Sequence, residues 1–149
     1  MEGIKMHIKH WKKIASIASF GVHFYLWETG SFTALTLNEI HDLSNNLFSI
    51  SATLIGFIFA VIAILVTITE NPLIKKMRKN GMYSEIIDHL GYLIAGFSIT
   101  MLLSYISLLF SGEYLHYLLI CTSFIFMYSM IMLITDMFRR LKLTFRNLK

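Results

Sequence analysis

The sequence predicts an all-α integral membrane protein, a four-helix bundle with both termini in the cytoplasm. Of its 149 residues, 56% are hydrophobic and 15% are charged, whereas soluble domains carry about 25% charged residues. Three long segments, 43–69, 90–112 and 114–135, contain no Asp, Glu, Lys or Arg. At about 1.5 Å of rise per residue, each can cross a hydrocarbon core about 30 Å thick. We expect residues 1–149 to form a single transmembrane domain.

The distribution of basic residues predicts the topology. Lys and Arg occur only near the N-terminus, in one internal cluster and near the C-terminus, and the polar connections 28–42 and 111–113 contain none. Basic residues that flank membrane spans stay on the cytoplasmic side. This pattern places both termini and the internal cluster inside, and the two acidic connections outside.

The first span is the shortest one predicted. A basic arm, residues 1–13, is expected either as a solvated flank or as a helix on the anionic inner leaflet. The apolar segment 14–27 is shorter than the usual span of about 17–25 residues. It must still cross, because otherwise the N-terminal lysines and the internal basic cluster would lie on opposite sides. The helix could continue to about Leu37, but that would put Glu28 near its middle, so we favour a short span.

The second span, 43–69, carries small and polar residues at helical spacing. They recur every three or four residues and therefore share one face of a helix. We call this set the polar stripe: Asn45, Ser49, Thr53, Gly56, Ala60, Ala63 and Thr67. The remaining faces are rich in Phe, Ile, Leu and Val, which suit lipid.

Local sequence signals predict where this helix begins and where it ends. Thr36 and Glu39 fit a capping box with Thr36 as the N-cap, and Asn38 is the competing cap, so the helix is expected to begin near residue 39. Pro72 ends the helix, because the residue before a proline is pushed out of helical geometry.

The connection 70–89 is predicted to form two short amphipathic helices on the cytoplasmic face, separated by Asn80 and Gly81. It contains four positive charges within five residues. Together with two arginines after the last span, these form a candidate surface for an anionic regulator or for anionic lipid: Lys75, Lys76, Arg78, Lys79, Arg139 and Arg140.

The third span, 90–112, repeats the small-residue pattern. Its small residues are Gly96, Thr100, Ser104, Ser107 and Ser111. We expect this face to pack against the polar stripe, since small residues let helix backbones approach in lipid. The fourth span, 114–135, is followed by the basic tail 136–149, where Asp136 has the spacing of an ion pair with Arg139 and Arg140.

No catalytic or metal-binding pattern is found in the sequence. There is no glycine-rich phosphate loop, no His-Glu-x-x-His motif and no serine elbow. We therefore expect no enzyme activity, no cofactor and no metal. His23 and His116 are interpreted as hydrogen-bonded packing residues rather than proton relays.

Two interpretations of the polar stripe remain open. It could pack against another helix of the same subunit, or it could line a pore around the axis of a homo-oligomer, most simply a tetramer. In the pore, Asn45, Ser49 and Thr53 would line the outer half, and Gly56, Ala60 and Ala63 would form an apolar constriction that gates by dewetting. Four acidic residues would ring the outer mouth and attract cations: Glu28, Glu39, Asp42 and Glu113.

The run SATLIGFIFAVIAILVTITENPLIKKMRKNGMYSEIIDHL, residues 51–90, resembles segments of small multi-span membrane effectors of bacterial anti-phage defence, of the Hailong type or associated with retrons. The resemblance rests on architecture: a small-residue span, a basic break after a proline, a short helix and two further spans. It implies a multi-pass protein of the bacterial inner membrane. Its implied function is an oligomeric channel that depolarises this membrane when an anionic nucleotide or oligonucleotide, made by a partner enzyme, triggers or releases it.

A second class of function also fits the sequence. The chain could be a non-conducting membrane subunit that anchors or senses a soluble partner through its basic cytoplasmic face. Conductance after reconstitution separates the two classes.

Overall fold

The chain folds into five α-helices. The computed structural model describes the backbone of residues 2–112 and 114–147, and the side chains of residues 13–72, 74–112 and 114–138. The helices are α1 (Glu2–Glu28), α2 (Leu37–Thr67), α3 (Pro72–Lys79), α4 (Met82–Leu109) and α5 (Tyr114–Asn147). Three segments are long and apolar enough to cross a membrane: α2, α4 and Tyr114–Phe138 of α5. The fold is therefore all-helical, and these segments indicate a membrane protein.

The helix boundaries differ from the predicted ones mainly in the polar segments. The basic arm is not separate from the first apolar segment, because α1 runs without a break from Glu2 to Glu28. The end of α1 at Glu28 agrees with the favoured end near Trp27 and excludes the alternative continuation to about Leu37, since turns follow from residue 29. Of the two short helices predicted in the connection 70–89, only α3 is separate, since the second forms the first turns of α4. The basic tail continues α5 as far as Asn147.

The capping box at the start of α2 is confirmed, with Thr36 and not Asn38 as the N-cap. Both the backbone N–H and the hydroxyl of Thr36 donate to Glu39 Oε2 at 2.7 Å. Because these bonds satisfy donors that the first helical turn leaves free, they fix the point where α2 begins.

Helices α2, α4 and α5 form a three-helix core. α2 and α4 run antiparallel, as shown by the hydrogen bond between Ser44 Oγ and Ser107 Oγ (2.9 Å) and by the ring contact between Phe48 and Tyr105. α4 and α5 are also antiparallel, because His89 lies near Asp136 and the ring of Phe97 contacts that of Phe126, and they pack closely at Gly96. An added Cβ there would overlap Ser129 Oγ and lie 3.3 Å from Ser129 Cβ.

Helix α1 buries small and polar residues against α5 and exposes large apolar ones, which is the pattern of a helix in lipid. Its buried residues are small or polar, namely Ala15, Ser19 and His23, whereas Ile17 and Phe20 are 71% and 66% exposed. A soluble helix would bury the large apolar residues instead. This reversal indicates that the exposed side of α1 faces hydrocarbon.

The contacts of His23 and Trp27 show that α1 runs antiparallel to α5. His23 Nε2 lies 2.9 Å from Ser123 Oγ, and four residues later the ring of Trp27 contacts the ring of Tyr117. The apolar part of α1 therefore lies alongside a segment of α5 that can span a membrane. A crossing by α1 itself stays a prediction, because among the described residues only α2, α4 and Tyr114–Phe138 are long and apolar enough to cross.

The predicted topology can be tested by cysteine accessibility in a Cys121→Ala background, since the native Cys121 is exposed. We expect a membrane-impermeant maleimide to label Ser31→Cys in intact cells and Lys79→Cys only after permeabilisation. The reason is that basic residues stay on the cytoplasmic side, and both positions are exposed. External labelling of Lys79→Cys would contradict the four-span topology.

Candidate functional site

The polar stripe lies on the surface of the folded chain. All seven of its residues, Asn45, Ser49, Thr53, Gly56, Ala60, Ala63 and Thr67, are exposed. The face of α2 that packs inward is a different one and carries Ile40, Ser44, Ser51 and Ile58. At about 100° per residue, Thr53 and Gly56 lie roughly 160° and 140° around the helix axis from Ser51. The stripe is therefore nearly opposite the contact with α4.

This position overturns one of the two interpretations of the stripe. Packing against another helix of the same subunit does not occur within the described residues, and the expected contact between the stripe and the small residues of α4 is wrong. The face of α4 does pack inward: Thr100, Ser104 and Ser107 are buried. Its partners on α2 are Ser44, which bonds to Ser107, and the other residues of the buried face.

The stripe is a shallow groove along α2. Gly56 has open space around it, because an added Cβ would meet nothing within 4 Å. Large apolar side chains flank it, and Phe57, Phe59 and Ile64 are 66%, 55% and 59% exposed. Small residues at a spacing of three and four let a second helix approach closely in lipid. The groove thus has the shape that a helix of another subunit requires.

Hydrogen bonding differs along the stripe. Thr53 Oγ1 donates to the Ser49 carbonyl at 2.9 Å, and Thr67 Oγ1 donates to the Ala63 carbonyl at 2.5 Å. These hydroxyls are satisfied by their own helix. Among the described residues no partner is found for the exposed side chain of Asn45. An unsatisfied amide is costly in hydrocarbon, so its environment must supply water or another protein.

The predicted outer acidic residues occupy three different settings. Glu28 ends α1, Asp42 is exposed near the start of α2, and Glu39 is used in the capping box. Glu113 lies outside the described residues. The first three lie at the predicted outer end of the bundle, but the structure of one chain does not bring their carboxylates together.

The basic face of α3 is well defined. Ile74 is 4% exposed, and α3 packs against α4. Lys75 is paired with Glu70 at 2.6 Å. That leaves Lys76, Arg78 and Lys79 as exposed cations. The side chains of Arg139 and Arg140 lie outside the described ones, so their predicted part in this surface stays a prediction.

The two histidines interpreted as packing residues are hydrogen-bonded. His23 Nδ1 donates to the Ser19 carbonyl at 2.8 Å, because a carbonyl only accepts, and its ring is enclosed by Phe32 and Phe124. His116 Nδ1 donates in the same way to the Phe32 carbonyl at 2.8 Å. The bond of His116 joins the connection between α1 and α2 to α5.

Sequence reasoning missed two interior polar features. One is the pair of His89 Nε2 and Asp136 Oδ2, which lie 3.9 Å apart between α4 and α5. The other is the buried hydroxyl face of α2, Ser44 and Ser51, whose heptad spacing to Ile58 was a usable signal. It was overlooked because the longer polar stripe dominates the same helix.

An apolar groove of about 530 Å³ lies between the outer ends of α4 and α5, lined in part by Ile106, Phe110, Tyr117 and Cys121. It offers almost no polar atoms and opens onto the surface of the bundle. Lipid is therefore its natural occupant, and it is not a candidate for chemistry.

No protein family, curated protein or solved structure was found to match this chain.

Proposed function

We propose that this chain is a pore-forming membrane protein that assembles as a homo-oligomer, most simply a tetramer, with the polar stripe of α2 on the axis. The observation that carries this proposal is the position of the stripe. It is exposed and nearly opposite the α4 contact, so it is available to a second copy of the chain. Lipid suits the flanking Phe and Ile residues, whereas water on the axis of a ring would hydrogen-bond the side chains of Asn45 and Ser49.

The chemistry along the stripe fits a gated path. Asn45, Ser49 and Thr53 supply polar groups in the outer half, where water and a permeating ion need partners. Gly56 and Ala60 follow toward the cytoplasm with no polar side chain. A narrow apolar segment of this kind closes a pore by expelling water.

The proposed physiological setting is the bacterial inner membrane. There the open pore depolarises the cell as the effector of an anti-phage system, and a nucleotide or oligonucleotide made by a partner enzyme controls it. The support is the architectural resemblance of residues 51–90, together with four proposed crossings and a basic inner surface. No catalytic step is assigned to the chain.

The experiment that tests the pore is ion flux from proteoliposomes, combined with native mass spectrometry of the subunit number. We expect a ring of subunits and a conductance. Asn45→Asp should raise the permeability ratio of cations to anions several-fold, because a ring of carboxylates selects cations. Asn80→Asp is the control, since it makes the same amide-to-carboxylate change at an exposed position between α3 and α4, away from the polar stripe and the outer connection. A monomer without conductance rejects the pore.

A second candidate function rests on α3. Its three exposed cations, Lys76, Arg78 and Lys79, are held on a helix that begins within a few residues of the end of α2. This is the arrangement expected of a subunit that docks an anionic soluble partner at the membrane surface. It needs no conductance.

Charge reversal on α3 separates regulation from insertion. We expect Lys76→Glu combined with Lys79→Glu to leave membrane insertion intact and to abolish the response to the anionic regulator, because each charge near an anionic surface is worth about 1 kcal/mol. Lys75→Glu with Glu70→Lys is the control, since it preserves the local ion pair. Normal regulation in the reversed protein would show that the regulator binds elsewhere.

A further inference from the structure

Buried hydroxyl groups gather in the middle of the three-helix core, away from the polar stripe. Ser51 of α2, Thr100 and Ser104 of α4, and Thr122 of α5 are each at most 1% exposed. Small hydroxyl residues let helices pack closely in lipid, but each buried hydroxyl still needs a hydrogen-bond partner. The partners of these four hydroxyls therefore have to be identified.

Two known contacts place these residues within about one helical turn of each other along the bundle. Moving about seven residues inward along each helix from the bonded pair Ser44 and Ser107 brings Ser51 level with Thr100, because α2 and α4 are antiparallel. Moving about the same distance outward from Gly96 and Ser129 brings Ser104 close to the level of Thr122. The four hydroxyls thus come from all three helices of the core.

Their hydrogen bonding is incomplete. Thr100 Oγ1 donates to the Gly96 carbonyl at 3.0 Å, and Thr122 Oγ1 donates to the Leu118 carbonyl at 2.7 Å. Among the described residues, Ser51 Oγ and Ser104 Oγ have no hydrogen-bond partner although both serines are completely buried. Orphaned buried polar groups are rare in native proteins, and bound water is the usual partner.

We infer that the centre of the α2, α4 and α5 core is a binding site for one or two water molecules, held by Ser51 and Ser104. The two serine hydroxyls each have a proton to donate to a water oxygen. The threonine oxygens, whose protons are already used, can accept from the water. This gives a bound water the two to four polar partners that buried water requires.

This site is independent of the pore proposal, because it lies inside one subunit and on the opposite side of α2 from the polar stripe. Its consequence is mechanical. A contact satisfied by water can exchange partners when α2 moves against α4, whereas the direct bond between Ser44 and Ser107 cannot do so without breaking. The core is then more adaptable at its middle than at its outer end.

The direct test is water-edited solid-state NMR of the full chain in lipid bilayers. We expect rapid magnetisation transfer from water to the signals of Ser51, Thr100 and Ser104. Phe97 is the internal control, since it lies on the same helix and is also completely buried but offers no polar side chain. Transfer to the serines as slow as that to Phe97 would overturn the inference.

A second measurement uses the double variant that combines Ser51→Ala and Ser104→Ala. If water is bound, removing its partners should abolish the fast transfer at Thr100 and lower the melting temperature in detergent. If the two hydroxyls are buried with neither water nor protein as a hydrogen-bond partner, their removal should raise the melting temperature. That result rejects the site. Should the double variant fail to fold, the transfer measured on the natural sequence decides alone.

Discussion

Gly96→Ala should lower the stability of the folded chain by about 1–3 kcal/mol, the usual cost of adding a methylene to a packed contact. The new methyl group would overlap Ser129 Oγ and lie 3.3 Å from Ser129 Cβ. Ser129 cannot move freely, because its hydroxyl donates to the Ile125 carbonyl at 2.9 Å. Either the Ser129 hydroxyl rotates and loses this bond, or α4 and α5 shift apart, and both changes lower stability. The effect is measured as the decrease in melting temperature in detergent, with size-exclusion chromatography as a second measurement.

The matched control is Gly91→Ala on the same helix, where an added Cβ meets nothing within 4 Å. Alanine also favours a helix over glycine by about 0.5–1 kcal/mol, so this variant should be at least as stable as the natural chain. Gly96→Ala combined with Ser129→Gly should recover stability, since it restores the space. Equal melting temperatures for the two alanine variants would show that the close approach does not limit stability.

Local signals predicted local structure well. The capping box depends on residues three apart, so Thr36 and Glu39 were sufficient to predict it. Charge-free length was sufficient to predict α2, α4 and the apolar part of α5 as candidate spans. The break at Gly81 was also correct in position, and the structure gives that residue a positive φ of 71°, which glycine adopts readily.

Local sequence signals could not predict which helix packs against a given face of α2. Periodicity showed that Thr53 and Gly56 share a face with the rest of the polar stripe, but it carries no information on which helix lies opposite. α2 has a second periodic face, Ser44, Ser51 and Ile58 with Ile40, and this one packs against α4. Ile58 packs in a cluster with Leu93 and Phe97 of α4, and Ser44 bonds directly to Ser107. Ile40 packs instead with Leu115 and Leu119 of α5. The stripe has no such bulk and is left outside.

The N-terminal boundary of α1 could not be predicted from charge, because the helix continues through the lysines before Ile14. Lysine has a high helix propensity, so a change from apolar to basic residues does not end a helix. Only the contacts of His23 with Ser123 and of Trp27 with Tyr117 show that this helix runs alongside a candidate span.

Gly56→Leu is the substitution with the largest expected effect on function. The added side chain has room in the isolated subunit, since nothing lies within 4 Å of an added Cβ, so folding and insertion should be unchanged. In the proposed ring, four leucine side chains would meet at the narrowest part of the path. We expect ion flux from proteoliposomes to fall at least tenfold while the chain remains folded.

The control for this variant is Gly21→Leu on α1, where an added Cβ also finds open space but away from the polar stripe. It should conduct normally. Native mass spectrometry of both variants then distinguishes the possible roles of the stripe. A Gly56→Leu protein that keeps its subunit number but loses flux has a blocked pore. If it dissociates into folded monomers, the stripe is a seam between subunits and the path lies elsewhere. If flux and subunit number both stay normal, the stripe neither lines the path nor joins the subunits, and the path lies elsewhere.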